Sequence, residues 1–214
     1  MNQYQYQQRV RPPSAIPNVI LGLLIANGLL FALQQVTFEP KIGIDLVTVV
    51  LGLWPATESG SPFGIWQVFT YGFLHGSLPH LAFNMFALWM FGRDLERLMG
   101  GKNFFTFYMV CVVGAGIVQL IVAALQGGMY PTVGASGGVF GILLAYGMTY
   151  PNRMVMLIFP PIPMRAKYFV ILIGLFELYL GFSGRSPGVA NFAHLGGMLF
   201  GFMLLRYWRR GRRR

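Results

Sequence analysis

An all-α membrane protein is the fold class this sequence predicts: a bundle of six transmembrane helices with a long, partly membrane-associated first loop. Three observations predict it. Of 214 residues, 55% are hydrophobic and only 10% charged. The apolar residues run in blocks close to the ~20 that cross a hydrocarbon core. The basic residues gather between those blocks on one face. The blocks are 16–36, 80–98, 103–126, 134–150, 167–183 and 189–207, and their lengths and composition fit helices.

With six spans, both termini share a face. That face receives Arg9 and Arg11, the loops with Arg93, Arg97, Lys102, Arg153, Arg165 and Lys167, and the six arginines of the last nine positions. Fourteen of the sixteen basic residues thus lie on one side, with Lys41 and Arg185 opposite. Because lysine and arginine accumulate in cytoplasmic loops, both termini are expected in the cytoplasm of a cell membrane, with a bacterial plasma membrane favoured.

Taken in order, residues 1–15 are polar and Gln-rich with two prolines, and read as a flexible cytoplasmic leader. Residues 16–208 form the six-helix domain, with Pro17 tolerated in its first turn, and 209–214 are a basic cytoplasmic tail. The formal charge of +10 raises the possibility of nucleic acid. Its concentration directly after an apolar segment fits anionic lipid head groups better, so the expected partner is the bilayer and not nucleic acid. The connection 37–79 holds an apolar piece, Ile44 to Trp54, too short to span and read as interfacial or re-entrant. Counting it as a seventh span separates the two arginine-bearing ends. The single cysteine, Cys111, forms no intramolecular disulfide and reads as a buried, inert thiol.

Polar residues inside such segments carry the chemistry. Gly134-Ala135-Ser136-Gly137-Gly138-Val139-Phe140-Gly141 opens the fourth span, Ala193-His194-Leu195-Gly196-Gly197 lies near the start of the sixth, and His80 and Asn84 share a face at the start of the second. The three outer loops then place His80, Ser136 and His194 at one level, at most ~10 Å below the outer surface at 1.5 Å per residue. An intramembrane histidine is costly and marks a functional site. A serine in a membrane helix more often only bonds a carbonyl one turn back. Gly197 and Gly201 follow His194 on its own stripe, and Gly137 and Gly141 form a matching pair. Docking these stripes brings Ser136 to His194 and lays Phe140 against the imidazole. A neutral imidazole accepting the serine proton makes a nucleophile, and the Ser136 N–H, the Asn84 amide and the His80 ring are available donors for an oxyanion. His75 reads as structural, bonding a loop carbonyl. No carboxylate lies near either motif to serve as a third member. Glu177, the one acid expected to be buried, either pairs with a polar neighbour or stays protonated. Three histidines without an H-E-x-x-H pair make a poor metal site, so no cofactor is expected.

These motifs resemble those of the rhomboid family of intramembrane serine proteases over about residues 63 to 201. Gly134-x-Ser136-Gly137 is similar to its nucleophile motif, Ala193-His194-x-x-Gly197 to its base motif, and His75-x4-His80-x3-Asn84 to its second-helix motif. The resemblance implies a Ser136–His194 dyad, oxyanion stabilisation by His80 and Asn84, and single-span membrane proteins as substrates. Two positions depart from it: Gln67 follows Trp66 where the family has an arginine, and Phe140 stands where some members have tyrosine. The competing readings are a proteolytically silent, client-binding member of that family and a small transporter using His194 and Glu177 as proton relays. The first lacks a reason for an intact dyad, and the second lacks an internal repeat.

Overall fold

The computed structural model describes residues 16–57, 59–127, 129–156, 161–183 and 190–211. The expected leader 1–15, the outer loop 184–188 with Arg185, and the last three arginines lie outside them. The chain is mostly helical: α1 (Asn18–Val36), α2 (Leu46–Leu51), α3 (Gln67–Thr70), α4 (Leu78–Met99), α5 (Gly101–Gln126), α6 (Ser136–Thr149), α7 (Ala166–Ser183) and α8 (Asn191–Gly211). Of these, α1, α5 and α7 are long and apolar enough to cross a membrane. Helix α6 is apolar but shorter, while α4 and α8 end in charged turns with Arg97 and with Arg209 and Arg210.

Two short antiparallel hairpins complete the described structure. Strands β1 (Phe38–Glu39) and β2 (Ile44–Asp45) pair ahead of α2. Strands β3 (Met154–Met156) and β4 (Pro163–Arg165) pair between α6 and α7. The stretch 44–54, read as one interfacial piece, is therefore a strand end followed by a six-residue helix. Asp45 caps that helix, accepting from the Thr48 N–H at 2.6 Å and from its hydroxyl at 2.7 Å. Gln34 of α1 donates to the same hydroxyl at 2.9 Å and accepts the His75 backbone N–H at 3.0 Å. This buried polar network fastens the first loop to α1 and to the approach of α4.

Helix α6 is the centre of the bundle, with ten of its fourteen residues buried. It packs against α4, α5, α7 and α8, and α5 and α8 also pack closely on each other. Glycines make the approach possible. A Cβ at Gly141 would run into the Cys111 sulfur, and one at Gly201 would stand 3.0 Å from that sulfur and 3.5 Å from the Gly141 Cα. Cys111 is thus the buried, unpaired thiol of the sequence reading, wedged where α5, α6 and α8 meet. Helix α7 differs, burying only Ala166, Val170 and Glu177.

Glu177 is not the one buried acid, because Asp45 and Glu96 are buried too. Glu96, on the penultimate turn of α4, accepts the N–H groups of Val19 at 3.0 Å and Ile20 at 2.9 Å. The first turn of any helix leaves donors unsatisfied, and Pro17 offers α1 no side-chain cap. A neighbouring helix supplies one.

Candidate active site

Helices α4, α6 and α8 all begin at one cavity, and each carries a predicted site residue at its start. Ser136 is the first residue of α6, His80 the third of α4 and His194 the fourth of α8, so each lies within roughly 5 Å of its helix end at 1.5 Å per residue. Local sequence sets these starts. Ser77 caps α4, its Oγ accepting the His80 N–H at 3.2 Å, with Pro79 in the first turn. Before α6, Leu53 and Thr132 exchange two backbone hydrogen bonds of 3.0 and 2.8 Å, and the Gly134 N–H donates to the Tyr71 carbonyl at 3.0 Å. The first loop thereby braces the turn that presents the serine.

Gly134 is required in that turn. Its φ of +137° is one that L side chains rarely adopt. A Cβ there would stand 2.9 Å from His80 Cε1 and 3.5 Å from Ser136 Oγ. The glycine keeps open the space between the serine and the second-helix histidine.

His194 Nε2 lies 2.8 Å from Ser136 Oγ, within reach for proton transfer. The Phe140 ring stacks on the imidazole with centroids 4.3 Å apart and planes 7° from parallel. The glycine stripes meet as their spacing predicted, and a Cβ at Gly197 would collide with the Gly137 carbonyl. His80 and Asn84 line the same cavity as Ser136 and His194. The His80 Nδ1 accepts the Gly76 N–H at 3.4 Å, which leaves the proton of the neutral ring on Nε2, a donor. Asn84 spends one amide hydrogen on the His80 carbonyl at 3.0 Å and keeps a second. The Ser136 N–H opens α6 and has no intrahelical acceptor.

His75 makes no bond to a loop carbonyl: neither ring nitrogen has a hydrogen-bond partner among the described residues. Its ring is buried and meets His80 edge-on at 5.0 Å. Burial, with His80 adding, pushes its imidazole down to about 3. Gln67, at the family's arginine position, is buried and holds the first loop. It donates to the Pro62 and Val50 carbonyls at 2.9 and 3.2 Å and accepts the Trp54 N–H at 3.2 Å.

One carboxylate does reach the site, against the sequence expectation. Glu177 Oε2 lies 2.9 Å from His194 Nδ1 and 2.7 Å from Asn191 Nδ2. Sequence distance concealed it, because Glu177 stands seventeen residues before His194 on the preceding helix. Only the antiparallel return of α8 on α7 brings them together. A buried acid on an otherwise apolar helix was the available signal.

The cavity measures about 1010 Å³. Its polar part holds Ser136, His194, His80 and Asn84, and its apolar wall comes from Phe83, Phe86 and Met90 of α4 and from Phe169, Ile173 and Leu180 of α7. No group of side chains among the described residues is arranged to hold a metal ion.

The rhomboid domain model matches residues 62–210. The chain belongs to the rhomboid family. Among its rhomboid relatives, it is 27% identical over 93% of its length to "Rhomboid protein 1, mitochondrial" of Saccharomyces cerevisiae. It is 29% identical over 96% to "Rhomboid protease GlpG" of Serratia proteamaculans, and 32% identical over 64% to "Rhomboid protease GluP" of Bacillus subtilis. It spans 66% of the yeast and Serratia proteins and 25% of the Bacillus protein. The rhomboid relatives thus include proteases and mitochondrial members, and family and apolar helices together make this a membrane protein.

Proposed function

We propose that this rhomboid is an intramembrane serine endopeptidase that hydrolyses a peptide bond in or near the transmembrane segment of single-span membrane proteins. The observation that carries the reading is the 2.8 Å approach of His194 Nε2 to Ser136 Oγ, at the polar end of a cavity walled by apolar side chains of α4 and α7. In this reading α1, α4, α5, α6, α7 and α8 all span the membrane, both termini are cytoplasmic and the site lies beneath the outer surface. The asymmetry of lysine and arginine supports that orientation.

Ser136 Oγ attacks the substrate carbonyl while its proton passes to His194 Nε2. The oxyanion that forms meets the Ser136 N–H, the His80 Nε2–H and the free hydrogen of Asn84. His194 returns the proton to the leaving amine. Water entering from the outer side then hydrolyses the acyl-enzyme, with His194 again as base. Phe140 holds the imidazole plane during both transfers.

A fluorophosphonate probe on the purified protein, together with cleavage of a single-span substrate in detergent, tests the reading. Labelling at Ser136 and cleavage that is lost in Ser136→Ala and His194→Ala are expected. The double variant should be little worse than either single one, because members of one catalytic unit fail together. Substantial turnover by Ser136→Ala, or no cleavage by the wild type, overturns it.

A further inference from the structure

Beyond Val170, Glu177 is the single buried residue of α7 among those described. A carboxylate so placed is costly unless it is paired and hydrogen-bonded. Both its partners, His194 and Asn191, belong to α8, and the two-residue mechanism gives it nothing to do.

We propose that Glu177 is a positioning residue for His194, completing a Ser136–His194–Glu177 triad in which its carboxylate fixes the rotation and tautomer of the imidazole. The proposal rests on the reading of Ser136 as nucleophile. Stacking on Phe140 holds the ring plane, but a half-turn of the ring within that plane leaves the stack unchanged. Directional partners at the two nitrogens distinguish the orientations, Ser136 Oγ at Nε2 and Glu177 Oε2 at Nδ1, and of these only Glu177 stays unchanged while the serine proton moves. An ionised carboxylate accepts and never donates, so Nδ1 must carry the proton of the neutral ring. Nε2 then presents its lone pair to the Ser136 hydroxyl. In the opposite tautomer the Nδ1 lone pair would face the Glu177 oxygen at 2.9 Å, a repulsive contact.

Asn191 fixes the carboxylate in turn, since its amide donates to the same Oε2. As Oγ bonds to the carbonyl carbon, the serine O–H bond breaks and its proton moves to Nε2. Glu177 takes no proton. Its charge balances the imidazolium until Nε2 delivers the proton to the leaving amine, and the proton on Nδ1 stays in place throughout.

The test uses the full chain in detergent, with kcat and KM measured separately on a single-span substrate for Glu177→Ala, Glu177→Gln and Glu177→Asp. Nitrogen-15 spectra of labelled histidine report the His194 tautomer. Expected are a kcat lowered about 10²-fold in the alanine variant, the scale of a positioned acid–base group, and little change in KM. Glutamine, which keeps an acceptor without the charge, should fall between, and aspartate should recover part of the loss. The wild-type ring should show the Nδ1–H tautomer and the alanine variant a mixture. If alanine prevents folding, the glutamine and aspartate variants decide. Wild-type kcat and tautomer in both the glutamine and alanine variants, or losses that only track the folded fraction, overturn the proposal. A wild type that cleaves nothing sinks the protease reading instead, and the tautomer spectra still report whether Glu177 orients the ring.

Discussion

Gly197 faces the backbone carbonyl of Gly137 so closely that a Cβ at position 197 would collide with its oxygen. At Gly201 the nearest obstacles are side chains, the Cys111 sulfur at 3.0 Å and the Phe107 ring at 3.1 Å. Backbone cannot yield as a side chain can, so Gly197→Ala should destabilise more than Gly201→Ala. The larger loss should fall at or above the 1–3 kcal/mol typical of overpacking. Denaturation in mild detergent checks the order, and equal melting of both variants would show that the two helices separate freely.

Replacing the proposed oxyanion donors should slow turnover more than it weakens binding. His80→Ala and Asn84→Ala are each expected to lower kcat about 10²–10³-fold, as loss of one such donor does. Steady-state kinetics on a single-span substrate separate kcat from KM. Full kcat in both variants would assign these side chains to packing.

His75 predicts a pH dependence of stability. Its imidazole is held down to about 3 in the folded protein by burial and by His80, against an unfolded value near 6.5. Between those values the unfolded chain binds the extra proton. The contribution of His75 is therefore fully present above about pH 6.5 and is lost progressively as pH falls toward 3. Melting temperatures across that range should drop less steeply in His75→Asn than in the wild type. Parallel slopes would show that other groups set the acid sensitivity.

Glu96→Ala should destabilise the protein without impairing the site. It removes two charge-assisted hydrogen bonds to the first turn of α1, each worth about 1.5–3 kcal/mol. Ser136 and His194 lie at the opposite ends of their helices. A lowered melting temperature with unchanged kcat at low temperature is the expected pair of results, and a large kcat loss in folded protein would contradict it.

The parts of this molecule visible in its sequence are those encoded within one helix. The serine turn, the histidine stripe with Gly197 and Gly201, and the face shared by His80 and Asn84 each follow from spacing along a single element. The flat contact of Phe140 on His194 followed from docking two such stripes. Glu177 escaped because its relation to His194 depends on how α8 returns beside α7. Glu96 escaped for the same reason, because the helix start it caps lies far earlier in the chain. The strand pairs β1–β2 and β3–β4 escaped for another reason: strands of two or three residues leave no alternation to detect.

Three helix N-termini meet at the cavity, those of α4, α6 and α8, and no lysine or arginine lines it among the described residues. Each helix start carries the equivalent of roughly half a positive charge from its aligned peptide dipoles. The helix starts therefore add a positive contribution to the site from backbone alone, beside the negative charge of Glu177 behind the imidazole. Such a field favours negative charge developing at its focus, and it does so without a mobile cation that would compete for the carboxylate of Glu177. It is also fixed by the fold and insensitive to pH, so the bundle that places the serine supplies the polarity of its surroundings as well.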